Sequence, residues 1–174
     1  MGSSKPKRQI ATPAVRLCAF LAALMIPPAA FPDSWGTEVS WEILVSDATP
    51  PTCFARRLME DNSDVQIGFD PDEQGGYFAI YNPKWTHIKE GQKGTVTFDF
   101  GDEKFAGDAF GKYLNGIPGG YAFFNNPAFA EAFARRQNVK VSGSNGRSYE
   151  MDLTGTSRAV QAVRDCQAAQ QAEN

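Results

Sequence analysis

His87 is the only histidine in this chain of 174 residues, so any imidazole chemistry must run through it. A Ser-His-Asp arrangement would need His87 as its base, and no Gly-x-Ser-x-Gly elbow presents a nucleophile beside it. One histidine also excludes a His-rich zinc or iron site, and two cysteines with that histidine make a poor structural zinc set. His87 stands in the connection Asn82-Pro83-Lys84-Trp85-Thr86-His87, where it reads as a solvated or packing residue.

The carboxylates form two clusters. Asp70, Asp72 and Glu73 share a turn ending in Gly75-Gly76. A calcium loop of the EF-hand kind needs further oxygen ligands and a distal glutamate at fixed spacing, and these are missing. Asp99, Asp102, Glu103 and Asp108 surround Phe100-Gly101. Asp99-Phe100-Gly101 spells a kinase fragment, but no Gly-rich nucleotide loop or His-Arg-Asp loop accompanies it. A carboxylate pair for glycoside cleavage is defined by separation in space, which sequence does not give. No cofactor is expected.

The cysteines acquire meaning from the N-terminus. Lys5, Lys7, Arg8 and Arg16 precede the apolar run Leu17 to Ile26, which Pro27-Pro28-Ala29-Ala30 closes. Basic flank, short apolar stretch and small residues are the layout of a secretory signal peptide. Ten residues rise only about 15 Å as a helix, against roughly 30 Å of hydrocarbon, so no stable transmembrane span is expected there. Cleavage is expected near residue 30 or near 36, at Ser34-Trp35-Gly36, which makes 1–36 signal and short linker. Cys18 leaves with the signal, and Cys53 and Cys166 remain. In an oxidising compartment two such cysteines form a disulfide rather than stay as buried thiols. The bond would close a loop of about 114 residues, for which chain entropy assigns roughly 4–5 kcal/mol as an upper figure.

Charge narrows the partners. All 20 acids follow the signal and four of the 17 bases lie within it, which leaves 13 bases against 20 acids. A domain that acidic repels phosphate backbones, so nucleic acid is not an expected partner. An envelope protein or a basic extracellular protein fits the charge.

The elements that position these residues follow from periodicity. Val39, Trp41, Ile43 and Val45 alternate with polar neighbours, as do Val65, Ile67 and Phe69, the segment Tyr77 to Tyr81, and Val96, Phe98 and Phe100. Cys53 to Met59 is read as a further strand. Asn126 before Pro127 caps a helix carrying Phe129, Ala132, Phe133 and Arg136 at helical spacing. Asn145-Gly146 predicts a type I′ hairpin between Val139/Val141 and Tyr149/Met151/Leu153. Ser157 caps a last helix with Ala159, Val160, Val163 and Cys166 on one face, and residues 169–174 are expected to fray. Between these elements, Tyr113 to Phe124 is uncharged, rich in glycine and aromatic rings, and without a clean period. It reads as a loop that either tucks its aromatic rings into the core, the favoured reading, or forms a binding lip. Tyr113, Tyr121, Phe123 and Phe124, with Trp85 and His87, are the candidate binding surface.

Val139-x-Val141, then Leu153-x-Gly155-x-x-x-Ala159-x-x-x-x-x-Cys166, with the earlier Cys53, resembles the layout of small exported proteobacterial proteins of unknown function. The resemblance covers the C-terminal part and Cys53. It implies a periplasmic or secreted location and a strand–helix disulfide, and it carries over no catalytic residue. The expectation is a single α+β domain over 37–168, an antiparallel sheet of about six strands packed by two helices with one disulfide. Its expected role is non-catalytic binding in the bacterial envelope, with a small carboxylate-dependent hydrolase as the alternative.

Overall fold

Apolar alternation is realised as strands β1 (Asp33–Glu38), β2 (Trp41–Val45), β3 (Cys53–Leu58), β4 (Asp64–Asp70) and β5 (Gly75–Tyr81). They continue as β6 (Lys93–Asp99), β7 (Lys104–Leu114), β8 (Ile117–Phe124), β9 (Asn138–Gly143) and β10 (Ser148–Asp152). The helices are α1 (Pro127–Arg135) and α2 (Thr156–Ala172). The structure is a computed structural model that describes residues 1–2, 32–70 and 75–172. Most of the expected signal peptide and the acidic turn at 71–74 lie outside the described residues. No helix among the described residues is long and apolar enough to cross a membrane.

The strands form one antiparallel sheet in the order β1-β2-β3-β4-β5-β8-β7-β6-β9-β10. The first five are a meander. To reach β6 from β5, the chain at 82–92 must cross β8 and β7. To reach β9 from β8, it must cross β7 and β6, and it does so as α1. Strap 82–92 and α1 therefore lie on the same face, here called inner, at opposite ends of the central strands. Helix α2 covers that face over β1 to β4.

The core fills the space beneath. Phe98 meets Phe78, Phe124 and Phe129 with ring centroids 5.0–5.1 Å apart and near-perpendicular planes, an arrangement that aromatic quadrupoles favour. Phe133 of α1 is 1% exposed and packs on Phe78 and Phe100. The disulfide joins Cys53 of β3 to Cys166 of α2, with the Cα atoms 6.1 Å apart. Gln167, one residue on, accepts from the Cys53 N–H at 2.9 Å and donates to the Pro51 carbonyl at 3.3 Å. The helix runs on to Ala172, through most of the stretch expected to fray. Asn126 caps α1 as its sequence predicts, accepting from the Ala128 N–H at 3.0 Å.

The expected sheet of about six strands is wrong: the described residues form ten, and they are mostly β. β1 falls in the stretch read as signal linker. β8 and the end of β7 occupy the stretch Tyr113 to Phe124 read as a loop, and the inward positions of the two strands carry Gly107, Ala109, Gly111, Gly120 and Ala122 in place of large apolar residues. Without those side chains the period of 2 fades from the sequence while the backbone ladder stays intact. Val39, taken as a strand residue, occupies the β1–β2 turn at φ 57°, a costly conformation for a β-branched residue.

Candidate functional site

The six residues expected to form one surface are distributed by strand parity. On β8, Tyr121 and Phe123 point to the outer face, away from both helices, and Phe124 points inward. Phe124 is 9% exposed and stacks on Phe129 with centroids 3.8 Å apart. Trp85 and His87 ride on strap 82–92. Tyr113, at the end of β7, secures that strap: its hydroxyl donates to the Ile88 carbonyl at 2.9 Å, and its N–H donates to Glu90 at 2.6 Å.

The outer face carries Tyr77, Tyr81, Phe110, Tyr121 and Phe123 on three neighbouring strands. Several rings lie across glycines of adjacent strands. A Cβ at Gly68 would strike the Tyr77 ring, one at Gly75 the Phe123 ring, and one at Gly119 Tyr81. Aromatic side chains laid over strand glycines pin the register and cover exposed backbone. Phe110 and Tyr121 stack at 5.6 Å with their planes 28° apart. A hollow of about 300 Å³ lies among Tyr77, Tyr81, Tyr121, Phe123, Gln66 and Lys112. Burial, with Asp64 next, pushes the Tyr81 hydroxyl up to about 12, and Asp64 is itself held by Arg56 at 2.7 Å. The signal for this face was the strict alternation Tyr77-x-x-x-Tyr81 against the glycines, visible only once β8 is known to be β5's neighbour.

On the inner face, Trp85 and Ile88 of the strap roof an apolar chamber of about 140 Å³ over the sheet. The strap is anchored by a buried polar network. Asn82, 2% exposed, donates to Ser63 at 2.7 Å and to Asp61 at 3.1 Å, and the Tyr149 hydroxyl donates to Asp61 at 3.3 Å. At its far end the Gly91 N–H donates to the Gly111 carbonyl at 2.8 Å, and the Gly111 N–H to the Gln92 carbonyl at 2.7 Å.

The acidic cluster around Phe100-Gly101 is structural. Asp99 pairs with Lys104 at 2.8 Å, and Asp102 takes a two-pronged bond from Arg136 at 2.6 and 3.1 Å. The Lys104 bond, then the Gly101 N–H, hold Asp99 below its ordinary range. The Thr154 hydroxyl does the same for Asp152. Among the described residues, no group of three or more His, Cys, Asp or Glu side chains gathers as a metal site.

No protein-family model and no curated protein matches the chain. Among solved structures it is similar to the crystal structure of invasion associated protein B from Bartonella henselae, with a TM-score of 0.55 over 80% of this chain and 99% of that one. The sequences are 14% identical, and the likeness is one of fold.

Proposed function

We propose that this chain is an exported, disulfide-stapled binding module of the bacterial envelope that acts without catalysis. The observation that carries the reading is the outer face: rings of Tyr77, Tyr121 and Phe123 lie on one side of a sheet whose helices both occupy the other. Aromatic rings are the residues that dominate protein-binding energetics, and ring faces attract Arg and Lys side chains. With 13 bases against 20 acids after the basic N-terminus, the fitting partner is a basic protein. The intramolecular disulfide supports an oxidising compartment. The fold neighbour's association with invasion is in keeping with a module working at the cell exterior. The hydrolase alternative is less well supported. The carboxylates of the cluster around Phe100-Gly101 are engaged in ion pairs, Asp99 with Lys104 and Asp102 and Glu103 with Arg136.

The test is an amide-shift titration with an Arg/Lys-rich peptide and an acidic peptide of equal length. The basic peptide should shift amides of β5 and β8 saturably, weaken with salt, and weaken further in Tyr121→Ser. Equal response to both peptides, or shifts away from β5 and β8, would sink the reading.

A further inference from the structure

The chamber beneath the strap is a second, separate feature, on the opposite face from the aromatic platform. Its space exists because Gly120 has no side chain. A Cβ there would meet only the Phe110 carbonyl oxygen, at 3.4 Å, with nothing else inside van der Waals range. The walls are Phe78, Ile80, Phe98, Val141, Trp85 and Ile88, with hardly a polar atom among them. An apolar cavity of about 150 Å³ is known to take one benzene ring, so about 140 Å³ suits one ring or a chain of some six carbons.

The chamber adjoins a mouth of about 130 Å³ and shares Ile88, Thr95, Ala109, Gly120 and Gly143 with it. Here the chemistry inverts. Arg147 Nη1 lies 2.7 Å from His87 Nδ1, and Asn145 Nδ2 lies 3.1 Å from His87 Nε2. The Asn145 amide is oriented, because its Oδ1 accepts the Arg147 backbone N–H at 3.0 Å. Both ring nitrogens of His87 therefore face donors. A neutral imidazole can accept at only one nitrogen, so at least one of its N–H groups points at a donor instead of an acceptor. Among the described residues Arg147 forms no ion pair with a carboxylate, whereas Lys93 turns its ammonium to the outer face, over the Phe110 ring. Converging donors and a guanidinium without a carboxylate partner, in a domain with more acids than bases, call for an anionic acceptor.

We propose that the strap-covered chamber binds a small amphipathic carboxylate, its ring or six-carbon tail over Gly120 and its carboxylate among His87, Asn145 and Arg147. Hexanoate is the probe, acetate the head alone and 1-hexanol the tail alone, each followed by amide shifts of the oxidised protein. Hexanoate should shift Trp85, Ile88 and Gly120 saturably and bind more tightly than either fragment. Arg147→Gln should weaken hexanoate roughly tenfold or more and leave hexanol unchanged. Gly120→Val should abolish both while preserving the far-ultraviolet spectrum and the outer-face shifts. Should that variant lose its fold, Ala109→Leu fills the same chamber from β7. Absence of saturable shifts, hexanol binding equal to hexanoate, or wild-type affinity in a folded chamber-filling variant would each overturn the proposal.

Discussion

Phe124 and Tyr121 show how little a residue's type says about its role. Three positions apart on β8, one belongs to the ring cluster of the core and the other to the outer face. Phe124→Ser should cost about 3–5 kcal/mol, since it opens a cavity and buries a hydroxyl. Tyr121→Ser should cost about 1 kcal/mol, the worth of one partly exposed ring pair. Urea unfolding of the two variants gives both figures. Tyr81 carries a second prediction. Its hydroxyl is pushed from 10.0 to about 12 in the fold, so the unfolded chain releases this proton first as alkali is added. The contribution to stability is complete below pH 10 and is lost as pH rises towards 12. Tyr81→Phe should flatten that part of the stability profile and remove the late tyrosinate absorbance in an ultraviolet titration. Of the candidate residues, His87 was legible as a lone polar ring in a connection. That donors face both its nitrogens was not, because Asn145 and Arg147 come from a hairpin some 58 residues away.

At the scale of elements, the two Asn-Gly pairs exchange roles. Asn115-Gly116, unread as a turn, has φ of 50° and 82° and closes β7 onto β8 between the paired Leu114 and Ile117, the signature of a type I′ turn. Asn145-Gly146, read as that turn, has positive φ only at Gly146 and closes a three-residue loop. Both are hairpins; loop length decides which turn type the pair adopts. The strap shows the same dependence on neighbours. Its path over β7 requires glycine at 111, because a Cβ there would collide with the Lys89 carbonyl oxygen. Backbone cannot yield as a flexible side chain does, so Gly111→Ala should destabilise by about 1–3 kcal/mol. It should also speed hydrogen exchange in 85–92 ahead of β6, which exchange-detected mass spectrometry would resolve. Exchange rising uniformly would refute a strap-specific role.

For the whole molecule, the Cys53–Cys166 bond spans a sequence separation of 113 and ties β3 to the last helix. Replacing both cysteines by serine should cost up to about 4 kcal/mol, most of it through the freer unfolded chain. Thiol labelling of denatured, unreduced protein should find neither cysteine reactive. β1 runs from Asp33 to Glu38 and pairs with β2, so processing after residue 36 would remove four of the six residues of this edge strand. Under the proposed export, the mass of the mature protein should match a cut near residue 30. The sequence alone determined the early-strand and late-helix cysteines, the capped helix at Asn126-Pro127, the strands with large alternating residues, and the surplus of acids. Each rests on local chemistry: side-chain period, backbone capping, or charge count. Tertiary structure decided the rest. The unread strands β1, β7 and β8, the division of rings between core and outer face, and the chamber over Gly120 all depend on which strands become neighbours. That order is set by two long crossovers whose pairing partners lie far apart in sequence, where no local pattern records them.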